Sequence, residues 1–129
     1  MFLGAPLQLS DELTNLCPFI LSATAPVIKS RPTSKTIQVG ATVALSCRAS
    51  GEPLPRMTWR VDGHVISEKE EGLAIVEMAD GGGSLESTLQ IHNAQPQHGG
   101  EYYCVAENEV GRDTADTAIF VEGEFNSSD

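Results

Sequence analysis

Short segments in which apolar and polar residues alternate recur along most of this chain, and turn signals separate them about every ten residues. In Thr42–Ser50, for example, Val43, Leu45 and Cys47 fall on one side and polar or small residues on the other. This period of two is typical of a half-buried β-strand. The same alternation appears in Lys35–Val39, Met57–Val61, Leu85–Ile91, Glu101–Asn108 and Asp113–Val121. The pattern predicts an antiparallel β-sandwich.

The connections between these strands carry their own signals. Asp62–Gly63 is a strong hairpin turn and predicts a short return strand at His64–Ile66. Two prolines and a glycine predict a loop over Gly51–Arg56. Three consecutive glycines predict a flexible hairpin tip over Ala79–Ser84. Leu73–Met78 is predicted as a strand whose inward face the pattern does not define.

The first 24 residues differ from the rest. Apolar residues lie near helical spacing after Ser10, which suits an N-cap, but Pro18 interrupts the pattern. We expect a short helix, a disordered lead-in or the end of an upstream domain. The predicted organisation is a lead-in over 1–24, a domain over 25–122 and a tail over 123–129.

The charge balance limits the classes of partner. The chain has 129 residues, with 18 acidic and 8 basic side chains and a net charge of −10. This charge argues against binding nucleic acid or an anionic membrane, and it favours solubility. No apolar run approaches the roughly 20 residues that span a bilayer. The start lacks a basic n-region, so an exported protein would be represented here by a fragment or a processed form.

Three cysteines, Cys17, Cys47 and Cys104, leave either one pair and a single thiol or no pair. A bridge across the 57 residues from Cys47 to Cys104 would stabilise the fold by about 4 kcal/mol through loop entropy.

The chain resembles the I-set of the immunoglobulin superfamily over roughly Ala25 to Glu122. The resemblance is carried by Cys47, by Trp59 twelve residues later, by Leu89, by "GEYYC" with Gly100, Tyr102 and Cys104, and by "AENEVG" with Ala106, Asn108 and Gly111. The segments Ala25–Ile28 and Lys35–Val39 resemble its split first strand.

This resemblance implies an all-β immunoglobulin-like sandwich of two antiparallel sheets with Greek-key connections. It also implies a Cys47–Cys104 disulfide between the sheets, with Trp59, Leu89 and Tyr102 in the core. The Tyr102 hydroxyl would bond the backbone of the Asn93–His98 bend, and Tyr103 would point outward. In this family an acidic residue usually stands where this chain has His98, which puts the usual buried ion pair in doubt.

The residues give no indication of catalysis. His64, His92 and His98 have no metal-ligand spacing, "GGGS" lacks the context of a phosphate loop, and no nucleophile–base pattern appears. We therefore predict no enzyme activity, no metal and no cofactor. Asn126 begins an N-glycosylation sequon, and Cys17 is expected to be free or to form an intermolecular bond.

The two predicted outer faces differ. The sheet with Cys47 presents polar or small residues, whereas the sheet with Cys104 presents Tyr103, Val105 and Phe120 beside Arg60. Tyrosine and arginine are enriched in binding hot spots. These four residues are predicted to contact a protein partner, either another protein or a second copy. The alternative is that two surface aromatics stand there without function.

The predicted role is an adhesion or ligand-recognition module of a secreted or cell-surface multidomain protein. The alternative is an intracellular I-set domain of a muscle or cytoskeletal scaffold, in which the core cysteines stay reduced. A weaker alternative comes from "GRDTADT" (Gly111–Thr117), which resembles the last strand of secreted two-immunoglobulin proteins that bind insulin-like peptides.

Overall fold

The computed structural model describes residues 23–67 and 70–123, which form nine strands in two sheets. The elements are β1 Thr24–Ser30, β2 Lys35–Gln38, β3 Val43–Glu52, β4 Arg56–Val61, β5 His64–Val65, β6 Leu73–Ala79, β7 Ser84–Ile91, a 3₁₀ turn at Pro96–His98, β8 Gly100–Glu107 and β9 Arg112–Glu122. One sheet has the order β1-β3-β7-β6 and the other β2-β9-β8-β4-β5.

The first strand is split between the two sheets, as predicted. β1 pairs antiparallel with β3, and β2 pairs with β9 in the other sheet. The β2–β9 ladder is parallel and is the one exception to antiparallel pairing among the described strands. The sandwich therefore has the predicted fold class, with a parallel strand at one edge.

The predicted loop over Gly51–Arg56 is too long. β3 continues to Glu52, because Thr24 of β1 pairs with Glu52 and extends the ladder past the glycine. Only Pro53–Pro55 separate β3 from β4, and the Glu52–Pro53 peptide bond is cis. The cost of an interior glycine is therefore outweighed by pairing with a neighbouring strand.

The core lies between the sheets and is built from the inward residues of both. Cys47 and Cys104 are joined by a disulfide, with their Cα atoms 6.6 Å apart. Trp59, Leu89 and Tyr102 are almost completely buried beside it. Other fully buried side chains are Leu45, Ile91, Ile119 and Ser87.

β6 has a definite inward face, which the sequence left open. Leu73 and Ile75 pair with Ile91 and Leu89, so they face the core. Val76 and Met78 point outward, and 63% of Met78 is exposed. The outer face of this sheet is therefore less polar at its β6 edge than predicted. Within the described ranges, no helix has the length and apolar character needed to cross a membrane.

Candidate protein-contact face

Four residues on neighbouring strands form a row across the outer face of the five-stranded sheet. Val65 of β5 pairs with Arg60 of β4, Arg60 pairs with Tyr103 of β8, and Tyr103 pairs with Asp116 of β9. We call Val65, Arg60, Tyr103 and Asp116 the central row. The two-residue Asp62–Gly63 loop sets its first step, because a hairpin this short leaves one register for the return strand.

A second row lies beside the first. Thr58 pairs with Val105, which pairs with Thr114. Val105 points outward as predicted, but its neighbours leave only 9% of it exposed. Residues of both rows line one shallow depression, formed by Arg60, Asp62, Gly63, Glu101, Tyr103, Val105, Arg112 and Thr114.

Phe120 does not lie in this depression. It pairs with Thr36 of β2 and is 57% exposed. Since it follows Asp116 by four positions on β9, it is about 13 Å further along the strand. It lines a separate depression with Pro96, Gly99, Gly100, Glu101, Ala118, Ile119 and Val121. The structure thus brings together three of the four predicted contact residues and places Phe120 toward one end of the sheet.

Acidic side chains lie near the hydroxyl of Tyr103. A hydrogen bond to Glu101 and the charges of Glu101, Asp116 and Asp62 raise the pKa of the Tyr103 hydroxyl. Arg60 is exposed and forms no ion pair within the described part of the chain.

Asp62 anchors the β4–β5 turn to the start of β8. Its backbone N–H donates to the Glu101 carbonyl at 3.0 Å, and its Oδ1 accepts the Glu101 N–H at 3.2 Å. A Cβ on Gly100 would lie only 2.8 Å from Asp62 Oδ2, and Gly100 has a φ of 154°. A glycine at position 100 lets the carboxylate approach and so holds this side of the depression.

Tyr102, on the inward side of β8, fixes the bend before the strand. Its hydroxyl donates to the His98 carbonyl at 2.5 Å, within the bend expected from the sequence. Burial, followed by the charges of Asp62 and Glu70, raises its pKa to about 12. His98 makes no ion pair with another described residue. Instead its Nδ1 accepts the Gln95 N–H at 2.9 Å and caps the 3₁₀ turn.

Asn108 connects the hairpin after β8 to the start of β1 and to the loop between β3 and β4. Its Nδ2 donates to the carbonyls of Thr24 and Pro53, at 2.8 and 2.9 Å, while its Oδ1 accepts the N–H groups of Val110 and Gly111. Asn108 is therefore a structural residue, because both the Nδ2 and the Oδ1 of its amide form hydrogen bonds within the domain.

The histidines lie closer together than their spacing indicated. His64, His92 and His98 line one cleft with Asp62, Glu70 and Glu71. No group of three or more His, Cys, Asp or Glu side chains in residues 23–67 and 70–123 is arranged to hold a metal ion. Cys17 and Asn126 lie outside the described residues, so both expectations about them stay predictions.

Sequence reasoning missed two members of the central row, Val65 and Asp116. Val65 is 48% exposed and adds an apolar side chain next to Arg60. The signal for it was the Asp62–Gly63 turn, since a two-residue hairpin already places Val65 opposite Arg60.

The sandwich, its buried disulfide and its central tryptophan define a class of domain. The immunoglobulin domain family model matches residues 25–108. The chain belongs to the immunoglobulin superfamily. Domains of this family are generally non-enzymatic modules.

Several relatives are similar over most of this chain. Insulin-like growth factor-binding protein-related protein 1 of Cupiennius salei is 33% identical over 103 residues, covering 75% of this chain and 40% of the relative. Contactin-2 of Mus musculus is 38% identical over 102 residues, covering 78% of this chain and 9% of the relative. Roundabout homolog 1 of Homo sapiens is 33% identical over 118 residues, covering 92% of this chain and 6% of the relative. The chain thus spans less than half the length of each of these relatives.

Solved titin structures have the same fold. The titin domains Z1Z2 in complex with telethonin align with a TM-score of 0.71 at 30% identity, covering 80% of this chain and 49% of that one. A mutant complex of titin M10 with an immunoglobulin domain of obscurin-like 1 aligns with a TM-score of 0.70 at 30% identity, covering 80% of this chain and 98% of that one.

Proposed function

We propose that this chain is a protein-recognition module that binds its partner through the outer face of the five-stranded sheet. The observation that carries the proposal is the central row, in which exposed Arg60 lies between Val65 and Tyr103. Aromatic and arginine side chains are enriched among the residues that contribute most of the binding energy of an interface.

We place the module in a secreted or cell-surface multidomain protein. The Cys47–Cys104 disulfide supports this proposal, because such bonds persist in oxidising compartments. The sequon at Asn126 also favours export. Mass spectrometry of the protein from its native source tests this compartment. A bridged Cys47–Cys104 pair and a glycan on Asn126 are expected, whereas free core thiols would support the intracellular alternative.

The similarity to titin favours that intracellular alternative, in which the module belongs to a muscle or cytoskeletal scaffold. Two of the similar structures are titin complexes with protein partners, telethonin and obscurin-like 1. In both settings the module binds protein, so the central row has the same role.

One relative suggests a specific ligand class. The name of the Cupiennius salei protein refers to binding of insulin-like growth factor. Because this chain covers 40% of that relative, ligand binding by one module is a secondary proposal. Surface plasmon resonance with an insulin-like growth factor as the probe tests it, and no binding would exclude this ligand.

The main proposal is tested with a panel of purified extracellular and sarcomeric proteins. Binders of the wild-type chain are measured again with Tyr103→Ala. Met78→Ala is the matched control, because Met78 is an exposed residue on the opposite sheet. Binding should fall more than about tenfold with Tyr103→Ala and stay unchanged with Met78→Ala. The reverse ranking would place recognition on the other face and contradict the proposal.

A further inference from the structure

The charges of the central row are self-complementary. Arg60, Tyr103 and Asp116 are paired on three adjacent strands. The backbones of Arg60 and Asp116 therefore lie about 5 Å from that of Tyr103, on opposite sides of it. A surface with a cation and an anion at equal distances from a central aromatic residue can pair with its own copy. A two-fold symmetric contact needs this property, because both partners use the same patch.

The geometry points to a second copy of this chain as an occupant of the face. This inference rests on the proposed function and names its partner. The two-fold axis lies between the two faces, passes over Tyr103 and runs within about 15° of the β8 direction, so that the two sheets cross at about 30°. Tyr103 then packs on Tyr103 of the second copy, and Arg60 lies opposite Asp116 of the second copy. The symmetry generates this ion pair twice.

The two charged residues are available for such a contact. Both are exposed, and neither forms an ion pair with another described residue. By contrast, Arg112 pairs with Glu107 at 3.5 Å, and Arg48 pairs with Asp80 at 2.7 Å.

The second row fits the same axis. Val105 lies on β8 and therefore faces Val105 of the second copy, while Thr58 lies opposite Thr114. Both contacts are between uncharged side chains, so neither leaves a buried charge unpaired. The contact thus has Tyr103 at its centre, flanked by two ion pairs.

Like charges limit the strength of this contact. Glu101 and Glu107 also lie on β8, so the same axis brings each toward its own copy, and it brings Arg56 toward Arg112 of the second copy. Packed sheets cross at about 30°, which moves apart residues that are far from the crossing point. The net charge of −10 adds long-range repulsion, screened beyond about 8 Å at physiological ionic strength. We therefore expect a weak, reversible dimer centred on Tyr103.

Charge reversal at the two positions tests this arrangement. Arg60→Asp gives two like-charge contacts in its own dimer, and Asp116→Arg does the same. An equimolar mixture of the two variants restores both ion pairs, because each reversed residue then faces an opposite charge. Few other arrangements predict that two defective variants associate with each other.

The measurement is sedimentation equilibrium on the full chain over a wide concentration range, in a Cys17→Ser background so that no intermolecular disulfide contributes. The parent chain should dimerise, each single reversal should weaken dimerisation more than about tenfold, and the mixture should recover it. Glu86→Arg is the control, since it reverses an exposed charge on the opposite sheet. Thermal unfolding checks that every variant is folded, and Arg60→Ala with Asp116→Ala replaces any reversal that is not.

Three results would overturn the inference: a parent chain that is monomeric throughout, a mixture as monomeric as its components, or a control that weakens dimerisation equally. A monomeric parent chain leaves the proposed function standing, because the binding panel with Tyr103→Ala tests recognition of other proteins separately.

Discussion

The indole N–H of Trp59 donates to the hydroxyl of Ser87 across the gap between the two sheets, at 2.8 Å. Both side chains are completely buried. This bond explains why a polar residue occupies an inward position of β7, since a buried tryptophan N–H needs an acceptor. Trp59 thus joins the two sheets through a hydrogen bond as well as through packing beside the disulfide.

Removing this acceptor should destabilise the sandwich. Ser87→Ala leaves the Trp59 N–H buried without a partner, so we expect a loss of about 1–3 kcal/mol in the free energy of unfolding. Urea denaturation followed by Trp59 fluorescence measures it. Glu86→Ala, at the neighbouring exposed position, should have a much smaller effect. An equal cost at both positions would mean that the bond adds little.

The adjacent tyrosines should differ in their effect on stability. Tyr102→Phe removes the hydroxyl that bonds the His98 carbonyl, and we expect it to cost about 1–3 kcal/mol. Tyr103→Phe, on the outward side of the same strand, should cost little. Denaturation midpoints of the two variants give the comparison, and the opposite ranking would contradict the assignment of inward and outward faces on β8.

Alternation along strands was enough to predict the faces but not the positions along them. The parity of β8 and β9 placed Tyr103 and Phe120 on the same outer face. Their separation depends on the register between β8 and β9, which is set by the hairpin where the Asn108 N–H donates to the Gly111 carbonyl. A period of two contains no information about this register, so the alternation groups Phe120 with residues that lie well away from it.

Strand ends were also difficult to predict, because neighbouring strands decide them. β3 passes Gly51 since β1 lies beside it, and this contact is distant in sequence. The core was easier, since Cys47, Trp59 and Tyr102 each occupy an inward position that the alternation alone defines. Predicting the contact face requires the pairing between strands, whereas predicting the core requires only the alternation within each strand.

Alkaline pH should destabilise the folded chain through Tyr102. Burial raises the pKa of its hydroxyl from an ordinary value of 10.0 to about 12, so the folded state favours the neutral phenol. The resulting stabilisation is complete below about pH 10 and is lost as the pH rises toward 12. Denaturation midpoints measured across this range should fall more for the wild type than for Tyr102→Phe. Parallel curves for the two proteins would exclude Tyr102 as the cause.

Gly100 should not tolerate a side chain. Its φ of 154° is unfavourable for other residues, and a Cβ would lie 2.8 Å from the Asp62 carboxylate. We expect Gly100→Ala to cost about 1–3 kcal/mol and to loosen the β4–β5 turn. Gly82→Ala is a matched control, because a Cβ there would meet Asp80 at an ordinary 3.6 Å and its φ is not positive. Thermal unfolding compares them, and similar melting temperatures would argue against close packing of Asp62 on Gly100.

Thr117 should be the exception among core positions, because replacing it can stabilise the fold. It points inward from β9 opposite Tyr102, only 6% of it is exposed, and its hydroxyl has no hydrogen-bond partner among the described residues. An unpaired buried hydroxyl carries a desolvation penalty without a compensating bond. Thr117→Val exchanges that hydroxyl for a methyl group of similar size and keeps the β-branched shape that suits a strand. We expect the free energy of unfolding to be unchanged or to rise by up to about 1 kcal/mol. Urea denaturation measures it, with Thr114→Val as a control at an exposed position of the same strand. A clear loss of stability in Thr117→Val alone would show that the hydroxyl has a partner, most simply a buried water molecule.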